Sequence, residues 1–187
     1  MIIRKAKLED SNTIATLILL AMEEIVYQFI GEKSFQKATQ FLLNLTNKKE
    51  NQYSYQNCWA IEIENEIVAV AVIYNGSELH KLREAVAKEI KTMFNKDFNP
   101  EDETEANEYY IDSISVNPKQ QGQGLGSYLL QFLIDEYVYK RNETLGLLVD
   151  KDNSNAKKLY LKLGFEIVGE KILAGKEMEH LQYKKIR

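Results

Sequence analysis

The most informative segment of this chain is YYIDSISVNPKQQGQGLG, residues 109–126. Its first half, Tyr109–Val116, is predicted to be a buried strand that ends before a proline. The glycine-rich turn Gln121–Gly126 follows, and apolar residues at helical spacing then predict a helix over Ser127–Tyr139. Leu145–Val149 is again short and rich in β-formers. This strand–turn–helix–strand unit is a βαβ crossover, which predicts at least two parallel strands in a mixed α/β fold.

Upstream of this unit, the hydrophobic pattern predicts two helices and a hairpin. The first helix has apolar residues at steps of three and four and ends at Gly31, and a second helix follows Ser34. The polar stretch Asn47–Asn57 is typical of a loop. The strands Cys58–Ile63 and Ile67–Tyr74 are separated by a short polar gap, so we expect them to pair antiparallel.

The other predicted elements lie in an insertion and at the C-terminal end. Helical spacing returns over Leu79–Phe94, inside a segment, residues 75–108, that separates the third strand from the fourth. After the βαβ unit come a short helix, Asn155–Leu163, and the strands Phe165–Leu173 and His180–Ile186. Together the elements predict a mixed sheet flanked by helices.

Composition bounds the domain count and the chemistry. A chain of 187 residues with 44% hydrophobic residues can bury a core of its own, so we expect a single domain over residues 1–187. One cysteine, Cys58, excludes a disulfide framework and favours a small buried side chain over a nucleophile. With only 2 histidines besides, a Cys/His zinc site lacks ligands, and no metal is expected.

Charge and hydropathy bound the partners. The 24 Lys and Arg against 28 Asp and Glu give a net charge of −4, so there is no surplus of positive charge with which to bind nucleic acid. The longest uninterrupted apolar run is only a few residues, which predicts no membrane span, and the N-terminal residues do not resemble a secretion signal. The expected location is therefore cytoplasmic. The sequence does not distinguish a monomer from a homodimer.

The glycine-rich turn can hold an anion. Glycine lets the backbone approach a ligand closely, and the unpaired amides at the start of the next helix carry a partial positive charge. Together they form a seat for a phosphate or pyrophosphate. A P-loop would need a lysine after Gly126, and a dinucleotide fingerprint would place the third glycine one residue later. A tight turn whose glycines serve only packing stays open on this evidence.

Two motifs carry a resemblance to a known family. Gln121, Gly124 and Gly126 match the pattern Gln/Arg-x-x-Gly-x-Gly/Ala, the acetyl-coenzyme A signature of the GNAT superfamily of N-acetyltransferases. About 30 residues further on, Asn153–Phe165 is similar to a later motif of that family. The resemblance implies a GNAT-like fold: a mostly antiparallel sheet with one splayed parallel pair of strands. It also implies acetyl-CoA as cosubstrate.

The resemblance also implies which residues hold the coenzyme. Main-chain amides of the turn would bind its pyrophosphate, and its pantetheine arm would pair with the backbone of the strand before the turn. Asn153 and Tyr160 fall where family side chains face the pantetheine and the sulfur, and a backbone amide near Val116 would bind the carbonyl oxygen. The implied coenzyme-binding residues are Ile114, Ser115, Val116, Gln121, Gly122, Gln123, Gly124, Leu125, Gly126, Ser127, Asn153 and Tyr160.

Two side chains are candidates for proton transfer. A phenol with a pKa of about 10 stays protonated at neutral pH, so Tyr160 suits the acid that protonates a leaving thiolate, although it could also be a core tyrosine. Strand alternation predicts Asp112 on the same face as Ile114 and Val116, where desolvation would raise its pKa. For Asp112, a general base, a substrate anchor and a structural ion pair are equally consistent with the sequence.

The insertion between the third and fourth strands departs from the family pattern. We hypothesise that residues 75–108 cap the acceptor side of the cleft and shape substrate choice. The acidic stretch Glu101–Glu108 within it is expected to be a solvated loop, with attraction of a cationic amine as the alternative. The function expected from all these features is an N-acetyltransferase that moves an acetyl group from acetyl-CoA to a primary amine of a small molecule or peptide by direct attack. A non-catalytic acyl-CoA-binding module is the alternative.

Overall fold

The computed structural model describes residues 1–185 of the chain. Within them, seven strands form one sheet in the order β1-β2-β3-β4-β5-β7-β6. Every neighbouring pair in this part of the chain is antiparallel except β4 and β5, which are parallel. The strands are β1 Ile2–Lys5, β2 Cys58–Ile63, β3 Glu66–Asn75, β4 Tyr109–Val116, β5 Leu145–Asp150, β6 Glu166–Leu173 and β7 Lys176–Tyr183. The predicted mixed sheet with one parallel pair is confirmed.

Five α-helices flank the sheet within the described residues. They are α1 Ser11–Ile30, α2 Phe35–Thr46, α3 Leu79–Phe94, α4 Leu125–Leu133 and α5 Ser154–Leu163, and a π-helical stretch, Ile134–Tyr139, continues α4. Gly31 and Gly164 end α1 and α5 with φ of 81° and 100°, the left-handed conformation that favours glycine at this position. Ser34 caps α2, because its side chain accepts a hydrogen bond from the Lys37 amide.

The two faces of the sheet pack against different helices. Val70, Val72 and Tyr74 of β3 face a core built with α1, α2 and α3. Ala69 and Ala71 of the same strand face a second core built with α4 and α5. Successive side chains of a strand point to opposite faces of the sheet, and both faces of β3 are buried because helices cover both.

Helix α1 lies across the first core. Although its uninterrupted apolar runs are short, the helical segment Leu8–Ile30 could cross a membrane by length and composition alone. Its residues Ile14, Ile18 and Val26 are fully buried in the core, as in the central helix of a folded domain. The helix is kinked at Met22, where φ and ψ are −138° and 35°.

The insertion helix is part of the core. Leu82, Val86 and Ile90 of α3 are buried with α1 and α2, so α3 does not cover the cleft. The hypothesis of a cap therefore does not hold for the helix itself. The acidic stretch after it is a loop, as predicted, and Glu101, Asp102 and Glu105 are exposed. Glu103 and Glu108 differ from that prediction, because they are only 5% and 2% exposed.

Several boundaries differ from the sequence predictions. Helix α4 begins at Leu125, inside the glycine-rich turn, because Gly124 adopts a φ of 78° and serves as its N-cap. Strand β7 begins at Lys176, four residues before the predicted start at His180, and Ile186 of the predicted strand lies outside the described residues. The polar stretch predicted as a loop includes four buried residues, 51–54.

Candidate active site

A gap in the sheet forms the candidate site. Strands β4 and β5 pair over only three residues, Tyr109–Ile111 with Leu145–Leu147. Beyond them, β4 stays paired with β3 as far as Val116, and β5 stays paired with β7 as far as Asp150. Because the two parallel strands part, a cavity of about 760 Å³ passes between them. Helix α1 lines one side of it, and α4 and α5 line the other.

The strand edge that faces this gap has backbone groups that no neighbouring strand pairs. In an antiparallel ladder, successive residues direct their N–H and C=O groups alternately to one neighbour and the other. The Asn117 amide donates to the Val68 carbonyl at 2.8 Å, which fixes this alternation between β3 and the end of β4. The backbone groups of Ile114 and Val116 therefore point into the gap, where the predicted pantetheine arm would pair with them.

The start of α4 reaches the same cavity. The first backbone bond into this helix is Tyr128 N–H to Gly124 carbonyl, at 2.9 Å, so the amides of Leu125, Gly126 and Ser127 precede the helical bonds. Gly126 lines the cavity, and a Cβ on it would lie 3.7 Å from Val116 Cγ2. These amides and the positive end of the helix dipole suit an anionic group.

The other turn residues lie beside the cavity. Gln121 folds back, and its Nε2 donates to the Val116 carbonyl at 3.2 Å, whereas Gln123 bonds Gln120. Gly122, like Gly124, has a positive φ, of 80°, and Leu125 packs its side chain in the second core. The side chain of Ser115 is buried on the face of β4 that pairs with Val70. For these residues, binding of the coenzyme stays a prediction.

Helix α5 brings two candidate residues to the cavity. Asn153 lines it and caps the helix, because its Oδ1 accepts a hydrogen bond from the Ala156 amide at 3.2 Å. Its Nδ2 makes no hydrogen bond within residues 1–185 and can donate to a ligand. Tyr160 also lines the cavity, and its burial raises the pKa of the phenol to about 12. At neutral pH it is a protonated donor.

A β-bulge reverses the predicted orientation of Asp112. Val72 pairs with Ser113 and Ile73 with Ile111, so Asp112 is an extra residue in the ladder. Its side chain meets the hydroxyl of Tyr74, which lies in the first core, whereas Ile114 and Val116 pack on the second core. The prediction that Asp112 shares their face was wrong, because strand alternation breaks where a residue is inserted. All three residues still line the cavity, which passes through the sheet.

The carboxyl group of Asp112 has few partners. Its Oδ2 accepts a hydrogen bond from Tyr74 at 2.8 Å, and its enclosed Oδ1 has no hydrogen-bond partner within the described residues. Burial, and next the negative charge of Glu103, raise the pKa of Asp112 to about 7. No Lys or Arg among residues 1–185 forms an ion pair with it, so the structure does not support the interpretation of Asp112 as a structural ion pair.

Sequence reasoning missed the residues around this carboxyl group. Glu103 reaches the cavity from the insertion, where Arg83 of α3 binds its Oε2 and Gln52 donates to its Oε1 at 2.8 Å. Gln52 also donates to the Tyr74 hydroxyl at 3.0 Å. These residues come from four separate parts of the chain, and no local motif marks them. The insertion thus contributes to the acceptor side of the cavity through Glu103.

The charge of the cavity is predominantly negative. Asp112 and Glu103 lie at its inner wall, and four more carboxylates line it, from Glu23, Glu24, Asp150 and Asp152. Lys176 is the basic residue in this lining, and its Nζ is paired with Asp150 Oδ2 at 2.9 Å. Such a cavity favours a cationic ligand. No cluster of metal-ligating side chains occurs within residues 1–185.

Cys58 is not part of this site. It is fully buried in the first core, and burial raises the pKa of its thiol to about 12. A thiol with such a pKa is not a thiolate at neutral pH, so the expectation of a small buried side chain is confirmed.

Comparisons with known proteins agree with this geometry. The sequence model described as the acetyltransferase (GNAT) family matches residues 22–165. A crystal structure described as that of an acetyltransferase is similar to the whole fold, with a TM-score of 0.82 and 31% sequence identity over 98% of this chain and 99% of that one.

Two curated relatives share shorter segments. The N-alpha-acetyltransferase RimI of Mycobacterium tuberculosis is 40% identical over 62 residues, which are 33% of this chain and 37% of that protein. The [ribosomal protein bS18]-alanine N-acetyltransferase of Escherichia coli K12 is 47% identical over 53 residues, 28% of this chain and 36% of that protein. The matches therefore span about a third of the length of these relatives.

Proposed function

We propose, since this chain belongs to the GNAT acetyltransferase family, that it transfers the acetyl group of acetyl-CoA to a primary amine by direct attack. The observation that carries the proposal is the gap between β4 and β5. At one side it presents the unpaired edge of β4, the start of α4 and a protonated tyrosine. At the other it presents a carboxyl group with a pKa of about 7.

The residues at the β4 edge and at the start of α4 fit an acyl thioester of coenzyme A. The amides of Leu125, Gly126 and Ser127 would bind the pyrophosphate, and the backbone of Ile114 and Val116 would pair with the pantetheine arm. The Nδ2 of Asn153 would donate to a carbonyl of that arm. The thioester supplies the acetyl group and a thiolate leaving group.

The side chains provide the proton transfers that this reaction needs. Asp112 accepts a proton from the ammonium group of the acceptor, whose neutral nitrogen then bonds to the acetyl carbon while the carbon–sulfur bond breaks. The nitrogen loses a second proton as the amide forms, and this proton restores the phenol of Tyr160 after Tyr160 has protonated the sulfur. A backbone amide of β4 near Val116 donates to the carbonyl oxygen as its negative charge grows. Tyr160 donates its proton to the departing sulfur. A base with a pKa of about 7 is well matched to neutral pH, since it is partly ionised and still basic.

The negative cavity supports an amine as acceptor. The relatives named above are N-acetyltransferases, one of them for the alanine of a ribosomal protein, so a peptide amine and a small-molecule amine are both within this proposal. The test is release of free thiol from acetyl-CoA over a panel of amines, with the acetylated amine identified by mass spectrometry. Binding of acetyl-CoA without turnover of any amine would favour the non-catalytic module instead.

Replacing Tyr160 by phenylalanine is expected to lower kcat by about 100-fold, the lower end of the range for loss of a general acid, because the sulfur loses its proton donor. Affinity for acetyl-CoA, measured by calorimetry, should stay close to that of the wild type, since phenylalanine preserves the packing beside Phe165. Tyr128→Phe, at an exposed position on α4, is the matched control and should retain full turnover. Normal turnover by Tyr160→Phe would mean that Tyr160 is only a core tyrosine.

Replacing Glu103 by glutamine is expected to move the acidic limb of the pH profile of kcat/KM to lower pH. The negative charge of Glu103 raises the pKa of Asp112, so its removal lowers that pKa. The control is Glu101→Gln, an exposed carboxylate of the same loop that does not line the cavity. A limb that stays in place, or moves to higher pH, would contradict the coupling.

A further inference from the structure

The bulge in β4 places two adjacent polar side chains on one face of the sheet. In a regular strand, Asp112 and Ser113 would point to opposite faces. Here Ser113 pairs with Val72, which faces the first core, and Asp112 bonds Tyr74 of the same core. Both residues line the cavity. The inserted residue therefore produces a pair of side chains directed to the acceptor side.

Each member of this pair has an enclosed oxygen without a partner. Ser113 is 8% exposed, and its Oγ makes no hydrogen bond within residues 1–185. The same is true of Asp112 Oδ1. Leaving a buried hydroxyl unpaired costs stability, and alanine would fill the position without that cost. No contact among residues 1–185 therefore accounts for the hydroxyl of Ser113, whereas a ligand that donates a hydrogen bond to it would.

The residues around Asp112 and Ser113 indicate the chemical class of the ligand. Met22, Ile25 and Phe29 of α1, with Leu173 and Met178 from β6 and β7, give the cavity an apolar wall. The basic residue in the lining, Lys176, is held by Asp150. A ligand that fits has a positive charge with N–H donors at one end and an apolar stem behind it.

We propose that Asp112 Oδ1 and Ser113 Oγ form a two-point seat for the ammonium group of a primary alkylamine, with Ser113 a substrate-binding residue. The inference rests on the proposed function and specifies its acceptor. Each oxygen accepts a hydrogen bond from one N–H of the ammonium group. The proton of the N–H that is bonded to Asp112 Oδ1 passes to the carboxylate. Ser113 keeps its hydrogen bond afterwards and holds the neutral nitrogen in place for attack.

The chemical class is tested with ethylamine, butylamine and hexylamine, and with alaninamide as a model of a peptide N-terminus. We expect kcat/KM to rise along the alkyl series by about fourfold per methylene group that enters the apolar wall. Hexylamine should exceed alaninamide. A flat series, or a preference for alaninamide, would overturn the alkylamine assignment.

The seat is tested with Ser113→Ala. We expect the KM for hexylamine to rise about tenfold, the value for loss of one hydrogen bond to a charged group, with the Kd for acetyl-CoA unchanged. The melting temperature should stay the same or rise, because the variant removes an unpaired buried hydroxyl. Ser11→Ala is the matched control: Ser11 is buried but donates to the Thr46 carbonyl far from the cavity. It should lower the melting temperature and leave the KM unchanged.

Binding of hexylamine without acetyl-CoA separates this inference from the proposed function. Hexylamine should raise the melting temperature of the wild type and raise that of Ser113→Ala much less. If no amine is acetylated but this difference is found, the function fails and the seat stands. If hexylamine is acetylated and Ser113→Ala has a normal KM, the seat is overturned and the function stands.

Discussion

Replacing Asp112 by asparagine is expected to lower kcat/KM for amine acetylation by about 10²- to 10⁴-fold, the range for loss of a general base. In the wild type, the acidic limb of the pH profile of kcat/KM should have an apparent pKa of about 7, since protonated Asp112 cannot accept the proton of the ammonium group. In Asp112→Asn this limb should disappear. Steady-state kinetics between pH 5 and 9 measure both effects.

A measurement of the stability of Asp112→Asn distinguishes loss of the base from unfolding of the variant. The pKa of Asp112 is raised in the folded protein, so the stability contributed by its protonated form is lost as the pH rises through about 7. Asparagine stays neutral, so the variant should be at least as stable as the wild type at pH 8. Asp97→Asn removes an exposed carboxylate away from the cavity and should change neither kcat/KM nor its pH limb. Full activity of Asp112→Asn at neutral pH would exclude Asp112 as the base.

Replacing Gly126 by valine is expected to weaken acetyl-CoA binding by about 100-fold. Gly126 lines the cavity at the second position of α4, where its amide precedes the helical hydrogen bonds. A Cβ there makes an ordinary contact of 3.7 Å with Val116, so the fold tolerates it, but the branched side chain occupies the approach of the pyrophosphate to the amides. Loss of one or two charge-assisted hydrogen bonds accounts for the magnitude.

Calorimetry with acetyl-CoA measures this effect. Gly169→Val is the matched control, since a Cβ on Gly169 of β6 would have no neighbour within 4 Å, and valine suits a strand. It should bind acetyl-CoA like the wild type. Unchanged affinity in Gly126→Val would show that the start of α4 does not bind the coenzyme.

The elements predicted most accurately have a local cause. Leu79–Phe94 and Tyr109–Val116 have the predicted bounds, because an amphipathic period and a proline near the strand end act within a few residues. The start of α4 was misplaced because a left-handed Gly124 allows the helix to begin within the turn that holds the glycines. The hydrophobic period reports which side chains are buried, and it gives no information on the backbone angle at which a helix begins.

The coenzyme side and the acceptor side of the site also differ in how far the sequence predicts them. The predicted coenzyme side consists mostly of contiguous motifs, so its residues could be named from the sequence. The acceptor side is assembled from Gln52, Tyr74, Glu103 and the bulged Asp112, which are far apart in the chain and meet only in the fold. The hydrophobic pattern of β4 does not reveal that one residue is inserted in its ladder with β3. Its consequence, two neighbouring side chains on one face, appears only in the pairing of β4 with β3.

The short pairing between β4 and β5 has a mechanical consequence. Strands β1 to β4 form one half of the sheet and β5 to β7 the other, and only three residue pairs join the halves. A molecule that adds its own backbone-like amides to the open edge of β4 completes the missing ladder and ties the halves together. Binding of such a molecule would also stabilise the fold, so the melting temperature should rise with its concentration.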